Sequence, residues 1–281
     1  MDNETRKGLR ELRDDRSRGA HDLALKGLEL MARYVEKTDV KSMEEALGAL
    51  RWIAGKIGSI RPSMAPLQSV AAGVEKAGVN LIGIISDPAE FVESLKREMD
   101  QIAENLKNAG ETAAENALSV LEGKRAVMTH SRSATMTHVF DLLPGRDILI
   151  YATESRPGGE GVRAARDLLE RGFRVTLVPD MNICHFLPEA DLVLVGADSI
   201  LKDGSVVNKA GTQLLALAAK SFGKPFYVVA DSFKRRADCR VFLEEMPPEE
   251  ITNFEHSHLT VRNYYFDRTP AELITEIITE E

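Results

Sequence analysis

Cysteine is nearly absent from this 281-residue chain, with Cys184 and Cys239 the whole complement. Two thiols cannot build a disulfide scaffold or a four-thiolate zinc site, and their scarcity points to a reducing, cytoplasmic setting. No apolar run approaches the ~20 residues that cross a bilayer. The most apolar segments, LVLVGA from Leu192 and FYVVA from Phe226, are far shorter. The N-terminal MDNETRKGLRELRDDRSRG lacks the apolar centre of a secretory signal, so neither export nor a membrane partner is expected. There is no GxGxxG and no GxxxxGK[ST], which removes the dinucleotide fingerprint and the P-loop. Positive charge is also in deficit, with 36 Lys plus Arg against 44 Asp plus Glu and a net charge of −8. Such a chain is not built mainly to neutralise phosphates, and direct sequence-specific nucleic-acid binding is not expected. Of six histidines, only His256 and His258 lie close together, in NFEHSHL without thiolates, so no metal is expected.

What is present is a globular composition, 43% hydrophobic and 28% charged. From Arg6 to about Leu121 the apolar residues follow helical spacing, as in Leu23, Leu28 and Leu30, in Leu47, Leu50 and Ile57, and in Phe91, Leu95, Met99, Ile102 and Leu106. After Gly123 the grammar changes to short β-rich runs, RAVMTHS, RDILIYATES, FRVTLVPD, ADLVLVGAD and KPFYVVADS, interleaved with the helical patterns GVRAARDLLERG and AGTQLLALAAKSFG. Continuous apolar strands alternating with helices imply a parallel sheet covered on both faces. The fold class is therefore α/β: a helical N-terminal domain over 1–121, then a Rossmann-like, mostly parallel-sheet C-terminal domain over 122–281. Ligands of such sheets sit outside the carboxyl ends of the strands. Those ends read Ser131, Glu154, Asp180, Asp198 and Asp231.

The strongest local signal is VGADSILKDGSVVNKAGTQLLALAAK. Asp198 ends a buried strand, where it serves either as a cap or as a general acid/base whose pKa desolvation would raise. Lys202 to Ser205 reads as a tight turn. Near Asn208, Lys209, Gly211 and Thr212, an ammonium and a helix N-terminus converge in a way that suits a phosphate. The plainer alternative is that Asn208 and Thr212 cap the helix while Lys209 is solvated.

These blocks, with ATESRPGGEGVRAARDL and the terminal VRNYYFDRTPAELITEIITEE, resemble one superfamily across nearly the whole chain. It unites the regulatory alpha, beta and delta subunits of translation initiation factor 2B, methylthioribose-1-phosphate isomerase and archaeal ribose-1,5-bisphosphate isomerase. Arg18-Gly19-Ala20 resembles the RGA phosphate-site motif of the isomerases, and Arg61-Pro62-Ser63 their RPT. The resemblance implies that Arg18, Gly19, Ala20 and Arg61 reach a ligand pocket from one half, with Asn208 and Lys209 facing them from the other. Arginine forks and a lysine point charge at two clusters suit a sugar carrying two phosphates, and kinship with the regulatory subunits implies a phosphorylated sugar or a nucleotide monophosphate as the ligand. Ser133 and Arg156 join this phosphate-binding set by the same resemblance. The stretch Glu154 to Gly161 has an equally plain reading as a strand-to-helix turn with an acidic helix start. Lys234-Arg235-Arg236, in a block resembling ESFKF, offers a basic contact for nucleic acid or an acidic partner, or simply a solvated loop.

The family's isomerases move protons with a cysteine and an aspartate. The aspartate maps onto Asp198, whereas the THC-type motif reads Thr129-His130-Ser131, so Ser131 stands where the thiol belongs. A thiol titrates near ~8.5, while an unassisted serine hydroxyl is far too weak an acid to shuttle protons at neutrality. Alternation along a strand would turn His130 to the face opposite Ser131, unless the strand-end turn breaks it. Two functions follow. One is an archaeal-type regulatory-subunit-like protein whose pocket binds the ligand. The other is an aldose-to-ketose isomerase of ribose 1,5-bisphosphate acting through Asp198 without metal or cofactor. Kinship also implies a homodimer or hexamer and a partner in translation; FYVVA and the YYF stretch at Tyr264 read equally as an apolar face for dimerisation or as buried core.

Overall fold

The structure is a computed structural model and describes residues 2–143, 147–241 and 243–281. The chain forms two compact units, Met1–Asn108 and Ala109–Glu281.

The first unit is helical: α1 (Asn3–Asp14), α2 (Ala20–Lys37), α3 (Met43–Ser59), α4 (Ala65–Ile82) and the start of α5 (Pro88–Asn116). Local chemistry sets the starts. The Asp2 carboxylate accepts the Thr5 N–H at 2.7 Å, and Ser42 Oγ accepts the Glu45 N–H at 3.2 Å. Pro66 opens α4, where a missing N–H costs nothing. The stripes read from spacing are the core, with Leu23, Leu50, Ile57, Leu95 and Phe91 fully buried. Each such side chain contributes roughly 1.5–3 kcal/mol.

The second unit runs through α6 (Leu118–Leu121), β1 (Ala126–Thr129), α7 (Ala134–Asp141), β2 (Leu149–Thr153), α8 (Glu160–Glu170), β3 (Arg174–Val178), α9 (Ile183–Phe186) and β4 (Leu192–Val195). It continues through β5 (Ser199–Ile200), β6 (Val206–Lys209), α10 (Thr212–Ser221), β7 (Phe226–Val229), β8 (Phe266–Thr269) and β9 (Glu276–Ile278). All five β-rich runs form strands of one parallel sheet, ordered β3-β2-β1-β4-β7-β9. The sixth strand, β9, has no apolar run long enough to announce it. A small antiparallel sheet, β5-β6-β8, carries the Lys202–Ser205 turn, closed by a Leu201 N–H to Ser205 carbonyl bond of 2.8 Å.

Strand side chains alternate between two covered faces. Met128, Tyr151, Val193 and Val228 enter one cluster, while Val127, Ile150, Leu192, Leu194 and Val229 enter the other. Ala113, Ala114, Ala117 and Leu121 belong to the second cluster, so the division between units falls inside α5, ahead of the expected boundary at Leu121. FYVVA is core strand, and Tyr265 and Phe266 are buried, so of the two readings of these stretches the structure has the core one. Strand order reverses direction between β1 and β4, the switch point at which such sheets open a crevice.

Candidate functional site

In the first unit, the chain between α1 and α2 gathers two of the expected cations around one acid. Arg18 Nη1 lies 2.5 Å from Asp15 Oδ2, and Arg61 Nη1 donates to the Asp15 carbonyl at 3.0 Å. Arg61 is 2% exposed, whereas Arg18 reaches solvent. Gly19 is the N-cap of α2 and Ala20 its buried first residue. Partial burial alone would raise the Asp15 carboxyl. Hydrogen bonds from Ser17 and Arg18 outweigh that and hold its pKa at about 2.

In the second unit, the loops after β1 and β4 meet at the switch point. A Cβ built on Gly196 would lie 2.6 Å from Ser133 Oγ, so only glycine admits this approach. Asp198 follows, half-buried, its N–H donating to the Val207 carbonyl at 2.9 Å. Ser131 and Ser155, at the ends of β1 and β2, both take left-handed backbone, with φ 69° and 60°. Non-glycine residues adopt this region only when their surroundings hold them there. The Ser131 N–H donates to Ser155 Oγ at 2.8 Å, and the Ser155 and Arg156 N–H groups donate to the two Asp180 oxygens at 2.8 and 2.6 Å.

His130 anchors this network, and its tautomer follows from its partners. The Ala210 carbonyl, 2.9 Å from Nε2, can only accept, so Nε2 carries the proton. Nδ1 then accepts from Thr153 Oγ1 at 2.6 Å, leaving Ser155 Oγ to donate to Thr153. Burial pushes the imidazole below its ordinary pKa, and the Asp180 carboxylate 4.0 Å away only partly opposes this. His130 is neutral at pH 7, and neither of its nitrogens is free for Ser131. The cavity beside Ser131, bounded also by Arg132, Ser133, Met136 and Phe140, holds about 20 Å³, room for one water rather than a sugar. Arg132 is engaged by Asp167 at 2.8 Å.

Lys209 is not solvated. It is 2% exposed, with Nζ 2.7 Å from Glu160 Oε1 and 4.1 Å from the centre of the Tyr265 ring. Asn208 Nδ2 donates to Thr212 Oγ1, which donates to the Lys209 carbonyl at 2.6 Å. The α10 N-terminus is instead capped from β8, where Asp267 accepts the Gly211 and Gln213 N–H groups at 2.7 and 3.2 Å. Burial pushes the Asp267 carboxyl up to about 6 against those two hydrogen bonds. Arg156 projects into solvent. Lys234 is 2% exposed, not part of a solvated basic loop, and its Nζ lies 3.5 Å from the fully buried Asp231 carboxylate and 3.3 Å from Thr135 Oγ1. Among the described residues no His, Cys, Asp and Glu cluster has metal-binding geometry, and no helix is long and apolar enough to cross a membrane.

Sequence reasoning placed Ser131 and Asp198 at strand ends, and Asn208 and Lys209 just before a glycine and a helix, but missed the acids that meet these groups. Asp15, Glu160 and Asp267 each sit on a group expected to hold phosphate. Only Glu160, at an acidic helix start, left a local signal; Asp267 is distant in sequence from the helix it caps.

The Initiation factor 2 subunit family model matches residues 16–281. The chain is 33% identical to the putative translation initiation factor eIF-2B subunit 2-like protein of Pyrococcus horikoshii, covering 97% of this chain and 93% of that one. It is 32% identical to the ribose 1,5-bisphosphate isomerase of Methanocaldococcus jannaschii, covering 94% and 85%. The crystal structure of Pyrococcus horikoshii translation initiation factor eIF-2B superposes with a TM-score of 0.85 at 29% identity, covering 100% of this chain and 96% of that one. From residue 16 to its last residue, this chain belongs to the Initiation factor 2 subunit family.

Proposed function

We propose that this protein is a regulatory-subunit-like member of its family that binds a phosphorylated sugar or nucleotide monophosphate without turning it over. The carrying observation is that both His130 nitrogens are committed, to Thr153 and Ala210, so the serine standing in the place of the isomerases' cysteine has no imidazole base. A serine hydroxyl without a base neither delivers nor removes a proton at neutrality. In this reading Arg18, Gly19, Ala20 and Arg61 are the phosphate-binding residues of the first unit, and Ser133, Arg156, Asn208 and Lys209 are those of the second. A homodimer or hexamer and a translation-factor partner belong to it by kinship with the eIF-2B-like relatives.

The second reading is a ribose-1,5-bisphosphate isomerase, favoured by Asp198 half-buried just beyond β4 at the switch point. There the ring opens as hydrogen moves from C2 to C1, the Asp198 carboxyl giving a proton to the ring oxygen and taking the one from O2. Incubation with ribose 1,5-bisphosphate, followed by NMR beside a binding titration, separates the two. Binding without ketose, with activity gained in Ser131→Cys, supports the first reading. Turnover by the native chain that vanishes in Asp198→Asn establishes the second.

A further inference from the structure

The carboxyl edge of the sheet is tied together by a relay across three adjacent strands. Asp180, Ser155 and Ser131 each stand two residues beyond their strand, after β3, β2 and β1, which neighbour one another in that order. Both Asp180 oxygens accept backbone N–H groups of the loop after β2, and Ser155 Oγ accepts the Ser131 N–H of the loop after β1. Hydrogen bonds to a carboxylate are the stronger, charge-assisted kind, and the Asp180 side chain is only 18% exposed. Gly161 of α8 closes in on Ser155, since a Cβ there would lie 2.8 Å from Ser155 Oγ. Asp180 therefore fixes Ser155, and Ser155 fixes Ser131.

These two serines are the non-glycine residues of positive φ among the described residues. Glycine takes left-handed backbone without the steric cost, so backbone shape alone does not account for a side chain at either position. Ser155 uses its hydroxyl inside the relay. Ser131 does not. Among the described residues its hydroxyl makes no hydrogen bond, and the residue is only half-buried, so solutes reach it. The fold holds this hydroxyl in a costly conformation and leaves its donor and acceptor sites unused.

We propose that Asp180 is a positioning residue for ligand binding: acting through Ser155, it presents the Ser131 hydroxyl to an oxygen of the phosphorylated sugar or nucleotide. This rests on the reading that Ser131, in the place of the isomerases' cysteine, belongs to the ligand pocket. Asp180→Asn keeps one accepting oxygen and sets an amino group against the second N–H. Ser155→Ala breaks the relay one step later and leaves the Asp180 bonds to the backbone intact.

The test is calorimetric titration of ribose 1,5-bisphosphate into the native protein, Asp180→Asn, Ser155→Ala, Ser131→Ala and the two double variants that join Ser131→Ala to each relay change. Each is titrated well below its own unfolding midpoint. Loss of one ligand hydrogen bond is expected to weaken binding about fivefold in every single variant. The double variants should bind no more weakly than Ser131→Ala, because the relay acts only through a hydroxyl they lack. A purely structural role would lower the unfolding midpoint and add its effect on affinity to that of Ser131→Ala. If Asp180→Asn does not fold, Ser155→Ala and its double variant read the same coupling. Native affinity in Ser131→Ala or in both relay variants, or effects that add in the double variants, overturns this inference and leaves the binding reading standing. Absence of binding by the native protein overturns both.

Discussion

The Asp267 carboxylate accepts the Gly211 N–H at 2.7 Å, so the N-terminus of α10 already holds an anion supplied by the protein itself. The acid comes from β8, paired with β6 through Asn208↔Asp267, and that antiparallel register places it on the helix start. The Lys209 side chain is met likewise by Glu160, and Arg18 by Asp15.

Asp267 makes stability fall as pH rises. Its folded pKa, about 6, is above the ordinary 3.8, so the folded state holds the proton more tightly. Its favourable contribution is complete below about 3.8 and is lost as pH rises through about 6. A rise of about two units corresponds to roughly 3 kcal/mol. Asp267→Asn keeps an acceptor for Gly211 and cannot ionise. Urea unfolding between pH 4 and 7 is expected to show this decline in the native protein and its loss in the variant.

Removing His130 should loosen the loop after β1. His130→Ala leaves the Ala210 carbonyl and Thr153 hydroxyl without their buried partner, a change of about 2–4 kcal/mol in unfolding free energy. His130→Gln restores a donor and should recover part of it. Amide exchange at Ser131, whose N–H depends on Ser155, is expected to accelerate in the alanine variant.

Asp231 and Lys234 form a buried pair that is costly to split. Among the described residues neither Asp231 oxygen has a hydrogen bond, so Lys234→Met would strand a buried carboxylate at about 3–5 kcal/mol. The double variant Asp231→Leu, Lys234→Met removes both charges. Denaturant melts should find the double variant more stable than Lys234→Met alone.

Gly211→Ala combines two penalties. Its φ is +105°, and the added Cβ would stand 3.0 Å from the His130 ring. A loss of about 1–3 kcal/mol is expected from the backbone alone. His130→Ala in the same chain should relieve the contact but not the backbone term, a difference readable in a double-mutant cycle by thermal unfolding.

Much of the molecule is legible before folding. Periodicity marks the helices, because burying one face requires apolar residues at helical spacing. Continuous apolar runs mark β1, β2, β3, β4 and β7, because a sheet covered on both faces needs them. By contrast, β9, EII, is short and carries Glu276, so nothing local distinguishes it from loop. Lys209 reads as either a phosphate-site cation or a solvated one, and Lys234 as part of a basic loop; both are buried beside Glu160 and Asp231, which composition cannot pair with them.

The amino-acid order by itself determined the α/β class, the five strands that end in Ser131, Glu154, Asp180, Asp198 and Asp231, and the family. These are properties of composition, periodicity and adjacent residues. Only the tertiary structure decided the charge pairing at the candidate site: which carboxylate meets Lys209, which one caps α10, and that the His130 nitrogens meet Thr153 and Ala210. Such contacts join residues dozens of positions apart. Their consequences depend on burial, because a charge removed from water must find its partner within the fold.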